Sequence, residues 1–138
     1  MVHDLIRTLE LAVGGLERLG IRYVIGGSLA SSAHGEPRPS ADADIVVDLG
    51  EDRIPELIAA FRDEFYVSES AAREAVARQS SFNLVHFGTV LKIDLFVAGQ
   101  IPLRRLQLDR GRPGPVDPSS SRTMLVSTPE DIVLQKLE

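Results

Sequence analysis

The chain has 138 residues, a formal net charge of −5, no cysteine and 43% hydrophobic residues. That length suits one domain with a real core, and the missing cysteine excludes a disulfide framework or a thiolate metal site. The acidic balance argues against a protein that coats nucleic acid without specificity.

No apolar run reaches the ~18 residues of a membrane span. The N-terminus, MVHDLIRTLE, carries Asp4 and Glu10 and lacks the apolar stretch of a secretory signal. A single cytoplasmic domain spanning residues 1–138 and making no membrane contact is the expectation.

Leu5, Leu9, Ala12, Val13, Leu16 and Leu19 recur at helical spacing, so residues 4–19 read as an amphipathic helix. Gly14 and Gly15 weaken it and Gly20 stops it. Tyr23–Ile25 is a short strand that runs into Gly26, Gly27 and Ser28, and Ser28 can cap a short helix over 29–33. Residues 34–40, with glycine and two prolines, form a loop. DADIVVDL, residues 42–49, is a strand, and Asp52 is placed to cap the next helix. That helix carries an apolar stripe of Ile54, Leu57, Ile58, Phe61 and Phe65. Residues 70–78 read as an alanine-rich helix. Residues 82–87 and 90–97 read as a hairpin turning at Gly88–Thr89.

Between Leu103 and Leu125 five arginines face two aspartates, which reads as a solvated loop with scattered cations; residues 110–121 in particular read as loop. Residues 123–126 form a short strand. Ser127, Thr128, Pro129 and Glu130 form a capping box that starts a final helix. Only about two turns of it precede Glu138, so a C-terminal helical part is expected to be missing.

Three groups of residues carry chemistry. Alternation along a strand puts Asp42 and Asp44 on one face and Ala43, Ile45, Val47 and Leu49 on the other. Neighbouring carboxylates repel unless a cation lies between them, and hard oxygen donors select Mg²⁺ or Mn²⁺. Asp-x-Asp by itself is common, however, and Asp42 could equally cap the Ser40 turn while Asp44 faces solvent. Asp94 lies inside the apolar run VLKIDLFV, where an acid needs a partner. Either it completes an oxygen cage with Asp42 and Asp44, or it pairs with Lys92 or an arginine. Gly26, Gly27 and Ser28 follow a strand and open a helix, so backbone N–H groups there could receive a phosphate. A plain turn would look the same, and no Walker lysine follows. Asp48, just before Gly50, reads as a turn or cap residue. His34 and the other two histidines are scattered.

Taken together, Ile25-Gly26-Gly27-Ser28, then Asp42-Ala43-Asp44-Ile45, then Ile93-Asp94-Leu95 resemble the polymerase-beta-like nucleotidyltransferase superfamily over residues 21–97. HGEPRPSADADI, with Arg38 and Ser40 ahead of the aspartates, is most similar to the abortive-infection toxin branch and its minimal relatives. So is the Ser127, Glu130, Asp131, Lys136 pattern. The resemblance implies an α/β (α+β) nucleotidyltransferase fold, a mixed β-sheet flanked by helices. It implies transfer of a nucleoside monophosphate from an NTP to an acceptor hydroxyl or phosphate. Gly26, Gly27, Ser28 and Arg38 would hold the nucleotide. Asp42, Asp44 and Asp94 would bind the metal, Mg²⁺ or Mn²⁺, and be the catalytic residues. The implied acceptor is tRNA, another nucleic acid or a protein, and an antitoxin is an implied partner.

Three other readings stay open. A non-catalytic nucleotide-binding or regulatory module would share the fold, but has no reason to keep all three aspartates. A glycosyltransferase using Asp-x-Asp would want more nucleotide-binding sequence before Asp42. A metal-dependent nuclease would not need the glycine turn.

Overall fold

A computed structural model describes residues 2–26, 42–114 and 123–128, with the side chains of Val2, His3 and Asp42 outside the description. Helix α1 (Val2–Leu19) forms where the apolar period demands it: Leu5, Leu9, Ala12, Val13 and Leu16 are all buried. It ends in a Schellman closure at Gly20, whose φ is +71°. Gly20 N–H reaches the Glu17 carbonyl at 3.1 Å and Ile21 N–H reaches the Leu16 carbonyl at 3.0 Å. The two mid-helix glycines are not equivalent. A Cβ on Gly15 would stand 2.6 Å from the Phe61 ring, whereas one on Gly14 would meet nothing closer than Arg18 at 3.5 Å. Gly15 therefore gives up helix propensity so that the next helix can approach.

Among the described residues seven strands form one mixed sheet: β1 (Tyr23–Ile25), β2 (Asp42–Val47), β3 (Phe65–Tyr66), β4 (Ser81–His86), β5 (Lys92–Val97), β6 (Arg112–Gly114) and β7 (Met124–Val126). Their order across the sheet is β3-β4-β5-β2-β1-β7-β6. The β2–β5 and β1–β7 pairs are parallel and the other four pairs antiparallel. One face carries the main core. Ala43, Ile45 and Val47 of β2 and Ile93, Leu95 and Val97 of β5 are buried there with α1 and the helices described next.

A 3₁₀ turn (Glu51–Arg53) leads into α2 (Ile54–Phe61). The expected Asp52 cap is not made. Neither the turn nor the helix has a side-chain cap, and Pro55 sits in the first turn of α2, where its lost N–H costs nothing. The apolar stripe holds, but Phe65 leaves the helix. It lies in edge strand β3 and meets Phe61 edge-on at 5.6 Å. Helix α3 (Glu69–Arg78) starts at Ser68, whose hydroxyl accepts the Ala71 N–H at 3.2 Å, and ends at Gln79 in the left-handed region.

The β4–β5 hairpin forms, but its turn is longer than Gly88–Thr89. His86 accepts the Thr89 N–H on Nδ1 at 3.2 Å, the Thr89 hydroxyl accepts the Leu91 N–H at 3.3 Å, and Val90 takes φ +60°. Backbone bonds between His86 and Val90 and between His86 and Leu91, at 2.8 and 2.9 Å, close this turn, and the side chains of His86 and Thr89 reinforce it.

Two expectations for the arginine-rich segment fail. Residues Pro102–Arg110 are helix α4, with Pro102 in the first turn and Gln107 and Leu108 buried. Arg112–Gly114, expected as loop, is edge strand β6, where Pro113 is tolerated. Nor are all the arginines merely solvated. Arg104 Nη1 donates to the Gln79 and Val97 carbonyls at 2.8 and 3.0 Å, and its guanidinium lies 5.2 Å from the Phe96 ring. The helix expected over 29–33, the loops expected over 34–40 and 115–121, and the final helix lie outside the described residues. No helix among the described residues is long and apolar enough to cross a membrane.

Candidate functional site

The second face of the sheet carries the candidate carboxylates. Parallel pairing sets Asp44 of β2 directly opposite Asp94 of β5, and antiparallel pairing sets Asp94 opposite Asn83 of β4. On the other side, Gly26, which follows β1, donates its N–H to the Asp44 carbonyl at 2.8 Å. One row thus crosses four adjacent chain segments: Gly26, Asp44, Asp94, Asn83. Asp44 and Asp94 are half-buried and Asn83 is exposed. The row one step away along the strands pairs Asp42 with Lys92 and Lys92 with Val85. Lys92, the cation weighed as a partner for Asp94, is therefore in register with Asp42.

The chemical face is not chemical throughout. One step beyond the carboxylates, Val46 is paired with Phe96 and Val24. Val24, Val46, Ala98 and Leu108 make a second, smaller apolar cluster, with Phe96 packed against it. Helix α4 supplies Leu108 and covers this part of the face. The Asp44–Asp94 pair thus sits where an apolar floor ends.

Carboxylates set opposite one another on adjacent strands repel, and a cation could lie between them. Two hard carboxylate donors suit Mg²⁺ or Mn²⁺. Among the described residues no group of three or more histidines, aspartates and glutamates could hold a metal ion. Asp44 and Asp94 would supply two donors, and the third expected donor, Asp42, has its side chain outside the description. Gly27, Ser28, Arg38 and His34 also lie outside it, as do Glu130, Asp131 and Lys136. Asp48 pairs with Arg105 of α4 at 2.9 Å and so stands apart from the carboxylate row. His86 is occupied in closing the hairpin turn.

Sequence reasoning missed Asn83 and Gln107 as residues around this row, and read Ser127 as a capping residue rather than a partner of Ile25. Nothing local marks Asn83, since its place depends on strand register. For Gln107 the usable signal was Pro102, a favoured residue at the start of a helix.

No family model matches the chain, and no curated protein matches it. Solved structures share its fold, two of them as follows. A candidate nucleotidyltransferase from Thermotoga maritima superposes with a TM-score of 0.65 at 16% identity, covering 97% of this chain and 83% of its own. The lincosamide antibiotic adenylyltransferase LnuA, in its lincomycin-bound form, superposes with a TM-score of 0.55 at 15% identity, covering 97% and 84%. At these identities the likeness establishes the fold, a mixed sheet flanked by helices as in these nucleotidyltransferases.

Proposed function

We propose that this chain is a metal-dependent nucleotidyltransferase that moves a nucleoside monophosphate from an NTP to an acceptor hydroxyl or phosphate. The observation that carries the reading is the register of Asp44 against Asp94, with Gly26 bonded to the backbone of Asp44 on the neighbouring segment. The two structures of the same fold support it.

In this reading Asp42, Asp44 and Asp94 hold Mg²⁺ or Mn²⁺, which when bound neutralises charge on the triphosphate and on the departing pyrophosphate. Gly26, Gly27 and Ser28 receive the triphosphate through backbone N–H groups and a hydroxyl, and Arg38 adds positive charge. Asp94 accepts the proton from an acceptor hydroxyl. The acceptor oxygen then bonds to the α-phosphorus, the bond from that phosphorus to the bridging oxygen breaks, and pyrophosphate leaves. The apolar cluster under α4 excludes water from one side of the pair.

For the acceptor we propose tRNA, with the chain acting as the toxin of a toxin–antitoxin pair. Support comes from the resemblance of HGEPRPSADADI to that branch. The likeness to a lincosamide adenylyltransferase favours a second reading, a small hydroxyl-bearing acceptor.

The test is calorimetric titration of each of the four NTPs with Mg²⁺ on wild type and on Asp44→Asn. Wild type binds at least one NTP, EDTA abolishes the binding, and Asp44→Asn weakens it by about tenfold or more, consistent with loss of a charged contact. Equal affinity in the variant would sink the site. Transfer of α-labelled nucleotide to tRNA or to a small polyol then separates the acceptors. Binding without any pyrophosphate release would favour a non-catalytic module.

A further inference from the structure

The peptide unit joining Ile25 to Gly26 is held at both of its polar ends. Its N–H, on Gly26, donates to the Asp44 carbonyl at 2.8 Å. Its carbonyl, on Ile25, accepts twice from a single residue: the Ser127 N–H at 3.0 Å and the Ser127 hydroxyl at 2.9 Å. The Ser127 hydroxyl oxygen in turn accepts from Gln107 Nε2 at 3.4 Å. Gln107 and Ser127 are each 1% exposed.

Extending the parallel β1–β7 ladder requires only the Ser127 N–H, which any residue but proline provides. The hydroxyl bond is extra. It fills the second lone pair of the Ile25 carbonyl and opposes rotation of that peptide plane. Gln107 fixes the hydroxyl in turn, because an oxygen that accepts from the amide has its own hydrogen left to aim at Ile25. Burying an amide and a hydroxyl is costly unless both are bonded, and here both are, behind the residue that ends β1. Three segments meet there: α4 through Gln107, the residue that follows β7, Ser127, and β2 through the backbone of Asp44.

We infer that Ser127 and Gln107 are positioning residues for the nucleotide, a role that rests on the nucleotidyltransferase reading. They touch neither substrate nor metal. They hold Gly26 against the backbone of Asp44, so that the end of β1 meets the triphosphate at a set distance from the Asp44–Asp94 pair. Ser127, expected from sequence to open a capping box, spends its hydroxyl proton on Ile25.

The experiment is calorimetry of the four NTPs with Mg²⁺ on Ser127→Ala, Ser127→Thr and Gln107→Met, well below each variant's Tm, with Asp44→Asn as reference. Ser127→Ala raises the Kd of the bound NTP about fivefold to tenfold, the effect of one lost hydrogen bond. Ser127→Thr, which keeps the hydroxyl, restores it. Gln107→Met, close in shape but without the donor, raises Kd by about twofold to fivefold. A Ser127→Ala protein that melts lower yet binds like wild type has lost only stability, and overturns the inference. If Ser127→Ala does not fold, wild-type affinity in Gln107→Met overturns it instead. Wild type that binds no NTP, or Asp44→Asn that binds as well as wild type, sinks the nucleotidyltransferase reading and this inference with it. Normal binding that needs Asp44 but ignores Ser127 and Gln107 sinks the inference alone.

Discussion

The two faces of β2 and β5 make a controlled comparison, since they share backbone, register and neighbours. On one face Ala43, Ile45, Val47, Ile93, Leu95 and Val97 are at most 1% exposed. On the other, Asp44 and Asp94 are half-buried side by side, followed by Val46 and Phe96. The first face supplies burial, the second places charge. A strand separates the two tasks because its side chains alternate with a period of two. Burial and charge can then be altered at consecutive residues with different consequences, and Asp44 and Asp94 lie on strands paired on both sides.

Adjacent substitutions on β5 test that division most strongly. Leu95→Ala, on the core face, is expected to cost about 2–5 kcal/mol, because a fully buried leucine leaves a cavity. Asp94→Asn, one residue earlier, is expected to change stability by less than ~1 kcal/mol, since it removes one of two opposed like charges. Parallel denaturant melts check both, and a large loss from Asp94→Asn would break the comparison.

A smaller effect is expected where α4 meets the chemical face. Arg104→Ala removes two bonds to the Gln79 and Val97 carbonyls and a guanidinium over Phe96. The expected loss is about 1–3 kcal/mol, seen as a lower Tm, because charge-assisted bonds to part-buried carbonyls are worth more than surface pairs. The smallest effect belongs to Asp48→Ala. Its 2.9 Å pair with Arg105 is more than a third exposed on both sides. After solvent screening such a pair is worth about 0–1 kcal/mol, and raised salt should remove most of that. A larger loss would mean that this pair, not Arg104 and the apolar cluster, seats α4 on the sheet.

Much of this arrangement was legible locally. DADIVV announces a two-faced strand, and the burial of Ala43, Ile45 and Val47 follows from alternation alone. Helix α1 and its stop at Gly20 follow from the 3.6-residue period and from glycine's access to positive φ. Helix α4 was less legible. PLRRLQLDR has no clean apolar stripe, and its arginines resemble a solvated loop until two of them find partners in other elements. Gly15 looked like a defect in a helix and proves to be the place where Phe61 packs.

What the sequence by itself determined is whatever depends on neighbours a few residues apart: the elements with strong period, the residue types able to bind phosphate and metal, and the face each occupies on its own strand. What only the tertiary structure decided is the register. Asp44 and Asp94 are fifty residues apart in the chain, and nothing near either says that they will be set opposite each other, with Gly26 on one side and Asn83 on the other. Nor does any local signal say that Ser127 and Gln107 will meet behind Ile25. Those pairings are fixed when the two apolar faces are buried against one core, because a slip of one residue would turn every buried side chain of a strand to the wrong face.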